Sequence, residues 1–311
     1  MIEMRPFLNT DPPALAEVIN RCCKIESVVS AGLLEHAVFS KTCFTRDRLL
    51  IATQDQRLVG FVHLGSIASD DPEASTLTIS NLLFDEGDLE TATALVEAAA
   101  AFARGRGFSK LRIGSSPEHA EYYNGISSHF LNVGIPDFQH VLPTLYGIGF
   151  KERGAWVCFQ CDSDNVQIPF RREHMLFRRS HDVVQVIDPI FDSNAINLVF
   201  SHLANSELRL IERDSNTVIG RLIYACLAHS YPGWPSGGVD VLSYIPNCSE
   251  TPLGVFDYLV CELVRQIPNT GLSPLRVHIS EANSTRCDLL LALGFDKLMR
   301  SVHIELDLDT I

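Results

Sequence analysis

The sequence predicts an α/β (α+β) chain made of two tandem copies of one unit, each a mixed, largely antiparallel central sheet with a strand-helix-strand crossover. Three observations predict it. Two closing segments recur, "LYGIGFKERG" (Leu145 to Gly154) and "LLALGFDKLM" (Leu290 to Met299), each an apolar run, a Gly-Phe pair and a strand bearing a Lys. Two hairpins recur, "LLIATQDQRLVGFVHLG" and "LRLIERDSNTVIGRLIYA", each with a glycine inside its second strand. A chain of 311 residues, 46% hydrophobic and 20% charged, supplies the apolar side chains for two ordinary cores.

In chain order, "NTDPPALAEVINRCC" opens a helix, with Asp11 as N-cap, Pro12 at the first helical position and Leu15, Val18 and Ile19 on one face. The first hairpin turns at Gln54-Asp55-Gln56 with its glycine at Gly60; the second turns at Asp214-Ser215-Asn216 with its glycine at Gly220. A third strand follows each, "STLTISNLLF" and "GGVDVLSYI". Then come amphipathic helices, one carrying Leu89, Ala92, Val96, Ala99 and Ala103, the other Phe256, Leu259, Val260, Leu263, Val264 and Ile267. Turns at "RGRGF" and "PNTGLSP" lead to the strands "KLRIGS" and "PLRVHIS", and such a strand-helix-parallel strand crossover is right-handed in nearly every case. Each copy then ends on a short helix closed by Gly149-Phe150 or Gly294-Phe295, where glycine supplies the left-handed C-cap.

Composition narrows the function classes. A net charge of −13 disfavours nucleic acid and anionic membrane, both of which need a basic footprint. No apolar stretch approaches bilayer length and "MIEMRPFLNTDPP" lacks a signal-peptide profile, so a cytoplasmic location is expected. The 9 cysteines without an export signal argue against a disulfide framework. Cys158 and Cys161 form a CxxC, but Val157 and Phe159 read as strand, where residues three apart face opposite sides, and no HExxH accompanies the 11 histidines; no metal site is expected.

The order helix, hairpin, strand, helix, strand, helix, Gly-Phe, strand, with "NSTRCDLLLALGF" (Asn283 to Phe295) as its closing segment, resembles the GNAT superfamily of acyl-CoA-dependent N-acetyltransferases in a tandem two-domain form. The resemblance divides the chain into a GNAT-like domain at 1–162, with an extra loop at 118–140, a linker at 163–174 and a second GNAT-like domain at 175–311. It implies acetyl-CoA as co-substrate and a small-molecule or peptide amine as acceptor; self-association into a homodimer stays open. In that family the crossover helix opens with a [Gln/Arg]-x-x-Gly-x-[Gly/Ala] loop whose backbone N–H groups hold the CoA pyrophosphate.

In the first half the loop falls on "GDLETA" (Gly87 to Ala92), with Glu90 in place of the central glycine and Asp85, Glu86 and Asp88 around it. Four carboxylates repel a pyrophosphate by more than a helix dipole of about 0.3–1 kcal/mol returns. In the second half it falls on "TPLGVF" (Thr251 to Phe256), which keeps Gly254 and has Glu250 as its only nearby acid in the sequence, but places Phe256 at the last small position. The resemblance thus assigns CoA contacts to Ile245, Thr251, Leu253, Gly254, Val255, Phe256 and Asn283. Many family members use a Tyr in the last helix as general acid; the matching positions here are Leu145 and Leu290, with Tyr146 one residue along and so rotated by about 100°. Tyr244 and Asp240, two side-chain alternations apart on the third strand of the second half, are candidates for acid and base, or members of a sheet face. The loop "EHAEYYNGISSHFLNVGIPDFQH" offers His119, Tyr122 and Tyr123 to a substrate, or packs between the domains.

Three functions stand open: an N-acetyltransferase working in one half, a catalytically silent protein that binds CoA or another small molecule, and a structural or interaction module.

Overall fold

The structure, a computed structural model, describes residues 1–23, 28–65, 75–114, 121–123, 126, 134–137, 139–162, 168, 170–191, 193–227, 237–246, 254–266 and 273–310. The first half runs β1 (Glu3–Pro6), α1 (Pro12–Cys23), α2 (Ala31–Leu34) continued by a wide turn to Phe39, β2 (Leu49–Gln54), β3 (Arg57–Leu64), β4 (Thr76–Phe84), α3 (Leu89–Gly105), β5 (Lys110–Ile113), β6 (Ile135–Pro136), α4 (Val141–Ile148) and β7 (Lys151–Cys161). The second half runs α5 (Arg172–Ser180), β8 (His181–Ile187), α6 (Asn194–Phe200), β9 (Asn205–Glu212), β10 (Val218–Cys226), β11 (Val239–Pro246), α7 (Val255–Gln266), β12 (Leu275–Ser280), α8 (Ser284–Ala292) and β13 (Asp296–Asp307). Among the described residues no helix is long and apolar enough to cross a membrane.

The local signals act as expected, with one instructive difference. Asp11 gives its backbone carbonyl to Leu15 N–H, as an N-cap does, but its carboxylate accepts from Arg5 (2.7 and 2.8 Å) and Leu8 N–H (2.7 Å) instead of from the helix. Pro12 and Pro13 remove two of the three N–H groups of the first turn, and the Asp11 side chain turns back to the strand. The recurring Leu-x-x-x-Gly-Phe pattern closes both last helices identically: Phe150 N–H donates to Leu145 O (3.1 Å) and Phe295 N–H to Leu290 O (3.0 Å), with Gly149 at φ +117° and Gly294 at φ +88°.

The two copies share one sheet, in the order β1-β2-β3-β4-β5-β13-β7-β12-β11-β10-β9-β8, with β6 alongside β13. The halves exchange their closing strands. β13 fills the place beside β5, and its Val302, Ile304 and Leu306 belong to the core under α3; β7 fills the place beside β12, and its Val157, Phe159 and Cys161 belong to the core under α7. α5 begins at Arg172, inside the expected linker at 163–174, and each core is completed by the other half. Cys158 and Cys161 do face opposite sides of β7, Cys161 toward α7 and Cys158 toward His278.

A third core joins the halves. It combines α1 and α2 of the first half with Phe191, Val199 and Phe200 of the second. Lys41, buried there, donates from Nζ to the carbonyls of Glu121 (2.5 Å), Leu198 (3.1 Å) and Val199 (2.9 Å), the last two at the C-terminal end of α6. A cation suits that end of a helix.

Candidate active site

In each half the sheet opens at one place. β4 and β5 pair in parallel from Thr76↔Lys110 to Ile79↔Ile113 and then separate; β11 and β12 do the same from Val239↔Leu275 to Val241↔Val277. A bulge marks the separation in both copies. Ser80 is the extra residue between the pairs His63↔Asn81 and Leu64↔Ile79, and Leu242 is its counterpart between Ile223↔Ser243 and Tyr224↔Val241. Among the described residues β11 pairs with β12 no further than Val241↔Val277, so the two strands part beyond the bulge.

In the second half this opening is a cavity of about 140 Å³ between the ends of β11 and β12, walled by Trp156, Val241, Leu242, Ser243, Tyr244, Phe256, Val277, His278, Ile279, Ser280, Asn283 and Arg286. Asn283 caps α8, accepting from Arg286 N–H (3.2 Å), and so sets the Arg286 side chain on the cavity's rim. The guanidinium lies 4.9 Å from the Tyr244 ring centre and 4.6 Å from that of Phe256. Among the described residues Arg286 makes no direct ion pair, and its charge acts through space on Asp257 in the first turn of α7.

No sequence family model and no curated protein matches the chain. Solved structures do. A tandem GNAT protein from the clavulanic acid biosynthesis pathway, solved without AcCoA, superposes over 99% of both chains with a TM-score of 0.66 at 14% identity. The chain has the tandem GNAT fold. A GCN5-related N-acetyltransferase from Sphaerobacter thermophilus matches over 99% of this chain and 96% of its own (TM-score 0.64, 12% identity). A GCN5-related glucosamine N-acetyltransferase region of a fungal multi-domain GH3 β-N-acetylglucosaminidase matches over 98% of this chain and 38% of its own (TM-score 0.73, 12% identity).

Within this GNAT fold the expected site residues scatter. Tyr244, Phe256 and Asn283 meet at the second cavity, and Gly254 (φ +93°) stands at the start of α7. Val255, the first residue of α7, is buried in the core under that helix, and Ile245 packs on the core that joins the halves. Thr251 and Leu253 lie outside the described residues, as does His119. Phe256 is only 5% exposed, a core side chain as well as a cavity wall. Glu173 of α5 brings an acid that the local sequence did not suggest: its Oε2 would lie 3.6 Å from a Cβ on Gly254.

Tyr244 and Asp240 are not companions. The bulge at Leu242 breaks the alternation, so Tyr244 faces the core under α7 while Asp240, opposite Ala225, faces the other side. Asp240 is fully buried, its Oδ1 accepting from Arg276 Nη1 (3.0 Å), and it does not line the cavity. That corrects the base assignment. Tyr146 is 41% exposed and donates to Glu152 (3.3 Å) on the surface, while Leu145 and Leu290 are fully buried in the cores. The helical rotation of one residue carries Tyr146 outward. Tyr122 and Tyr123 sit at 0% and 1% exposure inside the joining core, Tyr123 Oη 3.0 Å from His63 Nδ1, so neither ring is offered to a substrate.

In the first half, Asp88 occupies the helix end that a pyrophosphate would need: its carboxylate accepts from Thr91 N–H (3.0 Å) and Thr91 Oγ1–H (2.5 Å), beside the Arg21–Asp85 ion pair (2.6 Å). The residues sequence reasoning missed are Trp156, His278 and Arg286. Arg286 had a signal, the third position of a helix capped by Asn283; Trp156 had none, because its strand completes the other half's sheet.

Proposed function

We propose that the second half binds acetyl-CoA and transfers its acetyl group to the amine of a small molecule or peptide. The observation that carries this reading is the cavity at the β11/β12 separation, with the Arg286 charge at its rim, against a first-half helix end already filled by Asp88. The end of β11 past the bulge would run beside the pantetheine, and Gly254 with the N-terminus of α7 and Arg286 would face the phosphates. Since the fungal region of the same fold is described as a glucosamine N-acetyltransferase, an amino sugar is the first acceptor to test, followed by polyamines and Lys peptides.

Isothermal titration of acetyl-CoA tests the site. Arg286→Ala is expected to weaken binding about tenfold or more, the loss of a charge-assisted hydrogen bond. Gly254→Glu is expected to abolish it, by adding a carboxylate beside Glu173 at a backbone angle that side chains avoid. Unchanged affinity in both variants removes the second half as the CoA site. A second reading, binding without transfer, is favoured by the burial of Leu290 where the family's acid stands; thiol release in the presence of amines separates the two.

A further inference from the structure

One edge of the shared sheet is left bare. Among the described residues β8 is the last strand of the sheet, beyond β9. Arg213 N–H donates to Ser180 O (2.9 Å) and Asp188 N–H to Asn205 O (3.1 Å), and the register between these two bonds is unbroken, so the even-numbered residues of β8 bond to β9. The odd-numbered ones, His181, Val183, Gln185 and Ile187, therefore turn their main-chain N–H and C=O groups outward.

Soluble proteins guard such an edge with Pro, Lys, a bulge or a very short strand. The opposite edge is guarded: β1 has 4 residues, closes on Pro6 and carries Glu3 and Arg5. β8 has 7 residues with no Pro, no Lys and no bulge, and its one acid, Asp182, is tied to Arg213 (2.9 Å). Beside it lies apolar surface. Val184 is 41% exposed, Ile187 72% and Ile190 88%, and Leu176 of α5, the helix that leads into the strand, is exposed as well. Charge marks the same place: residues 170–190 hold four arginines (Arg171, Arg172, Arg178 and Arg179) against three acids (Glu173, Asp182 and Asp188), a net +1 in a chain of −13. Two copies that meet here are spared the acid-to-acid repulsion that the rest of their surface imposes.

We propose that β8 pairs with β8 of a second copy of this chain, antiparallel about a twofold axis at Val184. That register pairs all the outward residues, His181 with Ile187 and Val183 with Gln185. Centred on Gln185 it would set His181 against Pro189, which has no N–H; centred on Val183 it would push Ile187 past the start of the facing strand. No like charges oppose each other: Asp182 meets Val186, and Asp188 of one copy falls beside Ser180 of the other, next to Arg179. Val184 faces its own copy as a non-hydrogen-bonded pair, the arrangement that brings side chains closest. A twofold contact closes on itself, whereas β8 laid on the β1 edge of another copy would extend without end.

Sedimentation equilibrium of the full chain tests this, and wild type is expected to be a dimer that dissociates on dilution. Val184→Lys sets two like charges face to face and is expected to sediment as a monomer with an unchanged circular dichroism spectrum. Val184→Cys puts a thiol opposite its own copy and is expected to give a disulfide-linked dimer when an oxidant is added, beyond any background in wild type. Val186→Cys, opposite Asp182, is expected to stay at that background. A wild type that is monomeric up to its solubility limit overturns the proposal, as does a dimer that persists in Val184→Lys. Open filaments overturn it too, because they assign the edge to β1. Should Val184→Lys not fold, the cysteine pair decides: equal cross-linking of Val184→Cys and Val186→Cys defeats the twofold at Val184, and cross-linking of Val184→Cys alone supports it.

Discussion

His63 and Asn81 are direct cross-strand neighbours, both buried, and among the described residues His63 Nε2 and Asn81 Nδ2 have no hydrogen-bond partner. Their counterparts in the second half are Ile223 and Ser243, so this buried polar pair is particular to the first. An unmet buried donor costs about 1–3 kcal/mol. Asn81→Leu, close in shape, is therefore expected to raise the urea midpoint of the protein, and a lowered midpoint would show that a partner occupies the site in solution. His63 also sets an acid limit. Burial, with Arg48 nearby, lowers its pKa from 6.5 to about 3, and burial and Arg112 lower that of His303 to about 4. The unfolded chain takes up these protons first, so the associated stability is present above pH 6.5 and is lost as pH falls toward 3. His278 has the opposite sign, contributing fully below pH 6.5 and losing its contribution as pH rises through about 10. Urea midpoints across this range are expected to fall on the acid side, with a flatter slope in His63→Phe, which keeps the stack on Tyr122 (4.3 Å).

At the scale of elements, the glycine in each second hairpin strand is a matter of space. A Cβ on Gly220 would lie 2.8 Å from Val255 Cγ1 in the first turn of α7, and one on Gly60 would lie 2.8 Å from Leu83 O and 2.9 Å from Thr91 Cγ2 of α3. The crossover helix starts directly over the strand, which brings its N-terminus to the edge where the sheet separates. Gly220→Ala must push α7 away, and overpacking of this kind costs roughly 1–3 kcal/mol. Chemical denaturation is expected to show that loss, together with weaker acetyl-CoA binding; an unperturbed variant would mean that the helix is free to slide.

Across the whole molecule, the exchange of β7 and β13 makes each half depend on the other. A chain of residues 1–162 lacks Val302, Ile304 and Leu306, which fill the core under α3, and lacks the α6 carbonyls that receive Lys41. Leaving such a core open costs several kcal/mol for each large side chain removed. Residues 1–162 alone are expected not to form a folded monomer by circular dichroism and sedimentation, whereas the full chain unfolds in a single transition. A stable monomeric 1–162 would contradict the exchange. The same architecture explains Trp156, a first-half residue in the wall of a second-half cavity.

The sequence by itself determined the repeated unit: the helix faces, the hairpins, the glycines at 60 and 220 and the Gly-Phe closures are local patterns, and local geometry enforces them within a few residues. The acidic first loop was legible for the same reason, since Asp85, Glu86, Asp88 and Glu90 lie together in the chain. The edge strands β1 and β8 were missed because short, partly exposed strands carry little alternation. Only the tertiary structure decided which residues share a site. One bulge residue, Leu242, turned Asp240 away from Tyr244, and no propensity marks where a bulge falls. The exchange of two similar closing strands decided that Cys158 faces His278 and that Trp156 reaches the second-half cavity, because either strand satisfies the same hydrogen bonds and only packing between the halves selects the partner.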